Sequence, residues 1–449
     1  MTELLELTPE IFKMIVHEFN AESPSSTWKL RSVCRTFAAE IEDDLLSHQP
    51  ENVVEKTPEV IKNKMAEYLI IHLHKISDVN DPLLKMLRRM ADYLIRELAI
   101  PEKDRKVTET SMIEGFVRVC QPTRVNTMMW GRFRGIHPLC TSFVNIDNDG
   151  ELDHWQKVVA AMAFLAFDLV RTLLATMPLN TWIPGIYIGR CPLVMAVAAN
   201  NNGLFNEVMD HFNQLIKTSR GRDMCRNGYD FDDAFYIAVN TGNSRFVEEL
   251  VEFCPRLRHY VPKETYNEWL DAAIASLNTD IVKSVLLLCS SRDKVNPYIL
   301  ANACRTGSTD IVNTLLNEGN VGVNKSLLVS FKAHPLCCAI QYGDTPIIGA
   351  VLDAGADING KAYRPKLESP GLTCSPLEIA FERGDKAVIQ FLLSRGATIP
   401  PRADWPRVRR LYDVVREVAI ANGWENVPTY PYWKTMVSTR GTTTLEVDE

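Results

Sequence analysis

The 449-residue chain has no apolar run fit to cross a bilayer. Its longest such stretch, VVAAMAFLAFDLVRTLLATM (158–177), is broken by Asp168 and Arg171, so no membrane span is predicted. The opening residues MTELLELTPE are acidic and lack the basic region and apolar core of a secretory leader, which predicts a protein of the cytosol or nucleus. Charge of one sign is missing too. The net charge of -7 is spread as mixed signs, which excludes a basic field able to hold nucleic acid or an anionic membrane. The 11 cysteines are odd in number and contain no CxxC pair, and several sit inside apolar helical segments, so they read as reduced thiols.

Catalytic and cofactor signatures are equally absent. No GxSxG, HExxH, Walker-type glycine loop or dinucleotide GxGxxG occurs, so no enzyme activity and no cofactor are expected. His72 and His74, two apart, point to different sides of a helix and lack a partner set for zinc. Asp230, Asp232 and Asp233 lack the Gly and Glu positions of a calcium loop and instead suit a helix start, where negative charge is favourable. Cys337 and Cys338 read as packed thiols, with nothing nearby to lower their pKa. What is present, 46% hydrophobic and 23% charged residues, is the composition of a globular chain.

An internal repeat dominates the second half. HPLCCAIQYGDTPIIGAVLDAGADIN (334–359) aligns with SPLEIAFERGDKAVIQFLLSRGATIP (375–400) through Pro, Leu, Ala, Gly-Asp, an aliphatic pair, Leu and Gly-Ala. Pro335 and Pro376 suit the first turn of a helix, and Ala339 and Ala380 let two helices approach closely. Gly343 and Gly384 end the first helix of each copy. The second helix carries Ile347, Ile348, Val351 and Leu352 in one copy and Val388, Ile389, Leu392 and Leu393 in the other. It closes at Gly355 or Gly396, where positive φ is needed. The pattern resembles the ankyrin repeat. Weaker copies extend the frame upstream, giving about seven units that start near 157, 192, 234, 269, 299, 335 and 376. The resemblance implies a solenoid whose inter-repeat loops face a partner, and the longest loops hold KTSRGRDMCRNGYD (217–230) and KAYRPKLESPGLTC (361–374). Arg220, Arg222, Arg226, Tyr363 and Arg364 are therefore the candidate target-binding residues. Residues 404–424 read as a capping helix with Leu411, Val414, Val415 and Val418 on one side, and the tail from 425 as loose.

At the amino end, LTPEIFKMIVHEF (7–19) suits a helix capped by Thr8, with Pro9 first and Glu10 at the positive dipole end. Its expected apolar face is Ile11, Ile15 and Phe19, broadened by Phe12 and Val16. After the polar link NAESPSS, the stretch LRSVCRTFAAEI (30–41) puts Leu30, Val33, Phe37 and Ile41 on one helical stripe. A unit of some 45 residues forms only a marginal core, so a partner surface would help stabilise it. The order Leu-x-Pro-Glu-Ile, then Leu-Arg-x-Val-Cys-Arg-x-Phe, resembles the F-box motif. The resemblance implies docking on the Skp-type adaptor of a cullin-RING (SCF) ubiquitin ligase, with Leu7, Pro9, Ile11, Ile15, Leu30, Val33, Cys34 and Phe37 as candidate adaptor contacts. The alternative is an ankyrin scaffold or inhibitor in which this end is a structural cap.

Between these parts, 59–76 and 82–100 read as connector helices and 128–143 as a buried junction. The expectation is an all-α chain: F-box-like unit 1–48, helical connector 49–150, ankyrin repeats 151–400, capping helix 401–424 and tail 425–449. It would act as a substrate receptor with a protein target, without metal, cofactor, nucleic acid or membrane.

Overall fold

A computed structural model describes residues 7–49, 58–75, 81–121, 125, 151–177, 191–218, 229–257, 261–288, 296–319, 321–324, 334–363, 373–400, 405–406, 409–425, 427, 435–439 and 442–446. The described architecture is all-α apart from two short hairpins. The chain divides into two compact units, Met1–Thr241 with Glu252–His259, and Gly242–Val251 with Tyr260–Glu449.

The first unit opens with α1 (Pro9–Glu22), α2 (Pro24–Leu30) and α3 (Arg35–Ser47), each packed on the other two. Proline fixes the start of α1 and of α2, because a first-turn residue needs no N–H partner. Thr8 stands at the N-cap of α1, but its hydroxyl makes no capping bond. The expected single helix over 30–41 does not form. α2 stops at Leu30, a turn closes with Val33 N–H donating to Leu30 O at 3.0 Å, and Cys34, in extended conformation at φ -162°, precedes α3. Breaking the helix splits the stripe: Phe37 and Ile41 turn inward with Phe12 and Val16, while Leu30 and Val33 stay outside.

Next come α4 (Pro58–Asn63), α5 (Met65–Leu73), α6 (Pro82–Glu97) and α7 (Arg105–Cys120). α3 packs on α5, and α5 and α6 pack on α7. The periodicity does not announce α7, because its first half is polar and its apolar residues crowd into the second half instead of recurring along one stripe; Met112, Ile113, Phe116 and Val119 are all buried. It runs against α8 (His154–Ala163) so closely that a Cβ at Gly115 would sit 1.9 Å from the Ala163 carbonyl oxygen. The junction expected at 128–143 lies outside the described residues.

α8 and α9 (Phe167–Thr176) form the first of seven helix pairs. The others are α10 (Pro192–Ala198) with α11 (Asn202–Leu215), α12 (Tyr229–Asn240) with α13 (Ser244–Leu257), and α14 (Lys263–Ala275) with α15 (Thr279–Leu286). They continue with α16 (Pro297–Thr306) and α17 (Thr309–Glu318), α18 (Pro335–Tyr342) and α19 (Thr345–Asp353), and α20 (Pro376–Arg383) and α21 (Lys386–Ser394). In the second unit the first helices stack α14, α16, α18, α20 and the second helices stack α15, α17, α19, α21.

Six second helices begin the same way. The side chain of Asn201, Asn243, Asn278, Ser308, Asp344 or Asp385 accepts a bond from a backbone N–H of the first turn, satisfying donors that have no helical partner. The turn just before each cap is left-handed in six of the seven pairs, at Leu165, Asn200, Gly242, Leu277, Gly307 and Gly384. Gly343, expected to act like Gly384, has φ -87° instead; there a Cβ would come within 2.8 Å of the Ala339 carbonyl oxygen. Gly355 and Gly396 take φ +92° and +91°, as their place at the close of the second helix requires.

Neighbouring exits are stitched by asparagine: Asn324 Oδ1 accepts from Asp357 N–H at 2.7 Å, and Asn359 Oδ1 from Thr398 N–H at 2.8 Å. Arg383 donates to the carbonyls of Ile340 and Gly343, both at 2.6 Å, placing a cation at the negative end of α18. The insertion at 361–374 is closed at its base by β1 (Ala362–Tyr363) paired with β2 (Thr373–Cys374). α22 (Arg409–Ala421) covers α21 with Leu411, Val414 and Val415 buried, the outer surface expected of a cap. The tail is not wholly loose: β3 (Thr435–Thr439) and β4 (Thr442–Glu446) pair antiparallel, as their β-branched threonines favour.

Candidate protein-binding surfaces

The amino-terminal unit has an apolar inside and an apolar outside. Inside, Phe12 and Phe37 meet edge to face at 5.1 Å, with Val16 and Ile41 around them and Trp28 and Cys34 packed on the cluster. The broad apolar face expected of α1 is thus divided: Phe12 and Val16 are its core, Ile15 is half-buried, and Ile11 and Phe19 face out. Outside stand Leu7, Ile11, Met14, Phe19, Leu30 and Val33, six of the sixteen exposed large hydrophobics of the described residues. Six in 27 residues is a concentration, whereas scattered apolar exposure is ordinary.

Of the candidate adaptor contacts, Leu7, Pro9, Ile11, Leu30 and Val33 are exposed and Ile15 and Cys34 half-buried. Leu30 keeps 41% and Val33 39% of its surface. Phe37 keeps 8%, so it is revised from contact to core; it reaches a partner only by shaping the unit. Met14, at 68% exposure, and Phe19 belong to the outer surface but were not among the candidates. The signal was there, since a helix with apolar residues at 11, 12, 14, 15, 16 and 19 carries more than one face can bury.

A polar network fixes α1 against α3. Asp44, 9% exposed, has His17 Nδ1 2.7 Å from one oxygen, and its other oxygen accepts from Asn20 Nδ2 at 2.9 Å and Gln49 Nε2 at 2.7 Å. A buried carboxylate with two amide donors and an imidazole beside it is compensated for its lost water, although the amide oxygens of Asn20 and Gln49 are buried without a hydrogen-bond partner among the described residues. Further along, His72 lies 3.0 Å from the Leu46 carbonyl, and Lys75 Nζ donates to the Ser47 carbonyl. His74 does have an acidic neighbour, Glu109 at 3.5 Å. No group of three metal-capable side chains occurs among the described residues.

Of the candidate target contacts, Arg220, Arg222, Arg226 and Arg364 lie outside the described residues, and Tyr363 is placed only by its backbone in β1. Cys337 and Cys338 are fully buried, and desolvation pushes both thiols up, as it pushes Cys254 up to about 11; these are packing residues. The eight described cysteines are all free of disulfides. Along the second helices runs a groove of about 930 Å³, lined among others by Leu316, Pro346, Gly349, Ala350, Asp353 and Phe391.

The family of ankyrin repeats, in its three-copy form, matches residues 300–403. That span covers the last three helix pairs, α16 to α21, which are ankyrin repeats; repeats of this family indicate a protein-interaction module. No curated protein matches the chain. No helix among the described residues is long and apolar enough to cross a membrane.

Proposed function

We propose that the protein is a substrate receptor of an SCF-type ubiquitin ligase, a non-catalytic chain whose amino end docks a Skp-type adaptor while its repeats hold a target protein. The observation that carries the reading is the concentration of exposed apolar side chains, Leu7, Ile11, Met14, Phe19, Leu30 and Val33, on a unit whose interior is separately filled. The F-box resemblance assigns Leu30 and Val33 to that docking. The four upstream helix pairs are taken as divergent ankyrin repeats: in three of them Asn201, Asn243 and Asn278 cap the second helix as Ser308, Asp344 and Asp385 do in the matched copies, and the first shares the left-handed turn at Leu165. The working compartment is the cytosol or nucleus.

Co-purification of the intact chain with the adaptor tests this. Leu30→Asp with Val33→Asp is expected to abolish association and leave the repeats folded. Absence of association in the unmodified chain contradicts the reading.

One observation favours a plain scaffold with a structural amino end: α3 packs on α5 and buries Leu45 and Leu46, so part of the unit does cover the connector. Under that reading, deleting residues 1–48 destabilises the first unit and target binding is independent of any ligase.

A further inference from the structure

The outer face of the amino-terminal unit is sorted by charge as well as by hydropathy. From Ser23 to Ala39 there is no aspartate or glutamate but there are three cations, Lys29, Arg31 and Arg35, in a chain whose net charge is -7. All three are exposed, they bracket the exposed Leu30 and Val33 along the chain, and none is in an ion pair among the described residues. On α1 the exposed Ile11 and Phe19 are accompanied instead by the exposed Glu10, Glu18 and Glu22.

The fold gives these cations little to do. Lys29, in the last turn of α2, does meet the negative end of its helix. Arg35 stands the other way round: it is the first residue of α3, where the dipole is positive and an acid is favoured, and the first turn of α3 holds no acid. Arg31 lies over the Trp28 ring at 4.1 Å, and Trp28 packs on the buried cluster of Phe12 and Phe37, so the guanidinium is held in place without its charge being neutralised. The backbone around it is fixed too, with Val33 N–H donating to Leu30 O at 3.0 Å and Ser32 Oγ to Lys29 O at 3.1 Å.

We propose that the turn at 29–35 docks an acidic and apolar edge of a partner polypeptide, with carboxylates meeting Lys29, Arg31 and Arg35 around an apolar contact at Leu30 and Val33. This rests on the amino end being the docking part of the chain and adds the chemistry of what docks there. Charge decides the occupant. A basic partner would bring like charge onto three uncompensated cations, and a purely apolar one would take water from them without return. An anionic bilayer or a nucleic acid gains from the cations but meets Glu10, Glu18 and Glu22 on the same unit of a negatively charged chain.

The test uses the full chain and a fluorescent glutamate–leucine peptide, with a lysine–leucine peptide as the opposite-sign probe, read by anisotropy. Preference for the acidic peptide is expected, against the sign of the whole chain, so that non-specific attraction does not produce it. Lys29→Gln/Arg31→Gln/Arg35→Gln is expected to weaken this binding about tenfold or more and to flatten its salt dependence, since one lost charge-assisted contact already approaches a factor of ten. A charge-matched control at exposed positions elsewhere, Lys103→Gln/Lys106→Gln/Lys386→Gln, is expected to stay within about twofold. Arg35→Gln alone keeps the test intact should the triple variant unfold: weaker acidic-peptide binding at an unchanged or raised unfolding temperature supports the proposal, and unchanged binding overturns it. So does an unmodified chain that prefers the lysine peptide or neither, or that takes up phosphatidylserine vesicles in place of the acidic peptide. Adaptor association separates the two readings. An adaptor that binds the unmodified chain and the triple variant alike leaves the receptor reading standing and overturns this one; acidic-peptide preference without adaptor binding does the reverse.

Discussion

The three amino-terminal helices and the three matched repeats use the same kinds of side chain to opposite ends. In the repeats, Ile347, Ile348, Val388, Ile389 and Leu392 are all enclosed, because each helix pair has a neighbour to share its apolar faces. In α1 to α3, Phe12, Val16, Phe37 and Ile41 fill the interior, yet Ile11, Met14, Phe19, Leu30 and Val33 remain in water. Local sequence makes a helix apolar; only a neighbour decides whether that face is core or interface.

The comparison breaks most visibly on the repeat side. Leu392→Asp buries a carboxylate with no partner and is expected to cost about 4 kcal/mol or more, read as loss of the second unit's unfolding transition in denaturant. Next is Phe37→Ala, about 3 kcal/mol from the lost ring and its cavity, against Leu30→Asp, within about 0.5 kcal/mol by the same titration. If Leu30→Asp costs as much as Phe37→Ala, the two faces of the amino-terminal unit are not distinct.

Part of this was readable in advance. The copies at 334 and 375 announced themselves through Gly343, Gly355, Gly384 and Gly396 and the Asp344 and Asp385 caps. Three of the four upstream pairs fill the same left-handed turn with Leu165, Asn200 or Leu277, and only the third keeps a glycine, Gly242, so the glycine signal is mostly missing where the geometry persists. That difference accompanies a family match confined to residues 300–403. At the amino end, composition revealed an excess of apolar residues, but not that a turn at 31–34 would send Leu30 and Val33 outward and Phe37 inward. Helix α7, polar in its first half and apolar mostly in its second, offered no regular period to read.

Acid sharpens the comparison further. Burial lowers the affinity of His334 for a proton in the folded chain, with the Asp357 charge opposing in part, and burial does the same to His211 on α11. The unfolded chain therefore takes up these protons first as pH falls through the ordinary histidine range, so stability present above that range is lost below it. The slope is expected to flatten in His334→Asn, measured by urea unfolding across pH 5 to 7. The smallest effect is a gain. Leu277, at φ +56° and 61% exposed, strains the backbone while burying little, so Leu277→Gly is expected to stabilise by up to about 1 kcal/mol. A loss there would show that the divergent turns are held by packing instead.

The most direct measurement is the affinity of the intact chain for a Skp-type adaptor, taken with and without Leu30→Asp/Val33→Asp and paired with thermal unfolding of both proteins. The account predicts a complex with the unmodified chain, its loss in the variant and unchanged unfolding temperatures. Equal binding by both chains, or none by either, contradicts it.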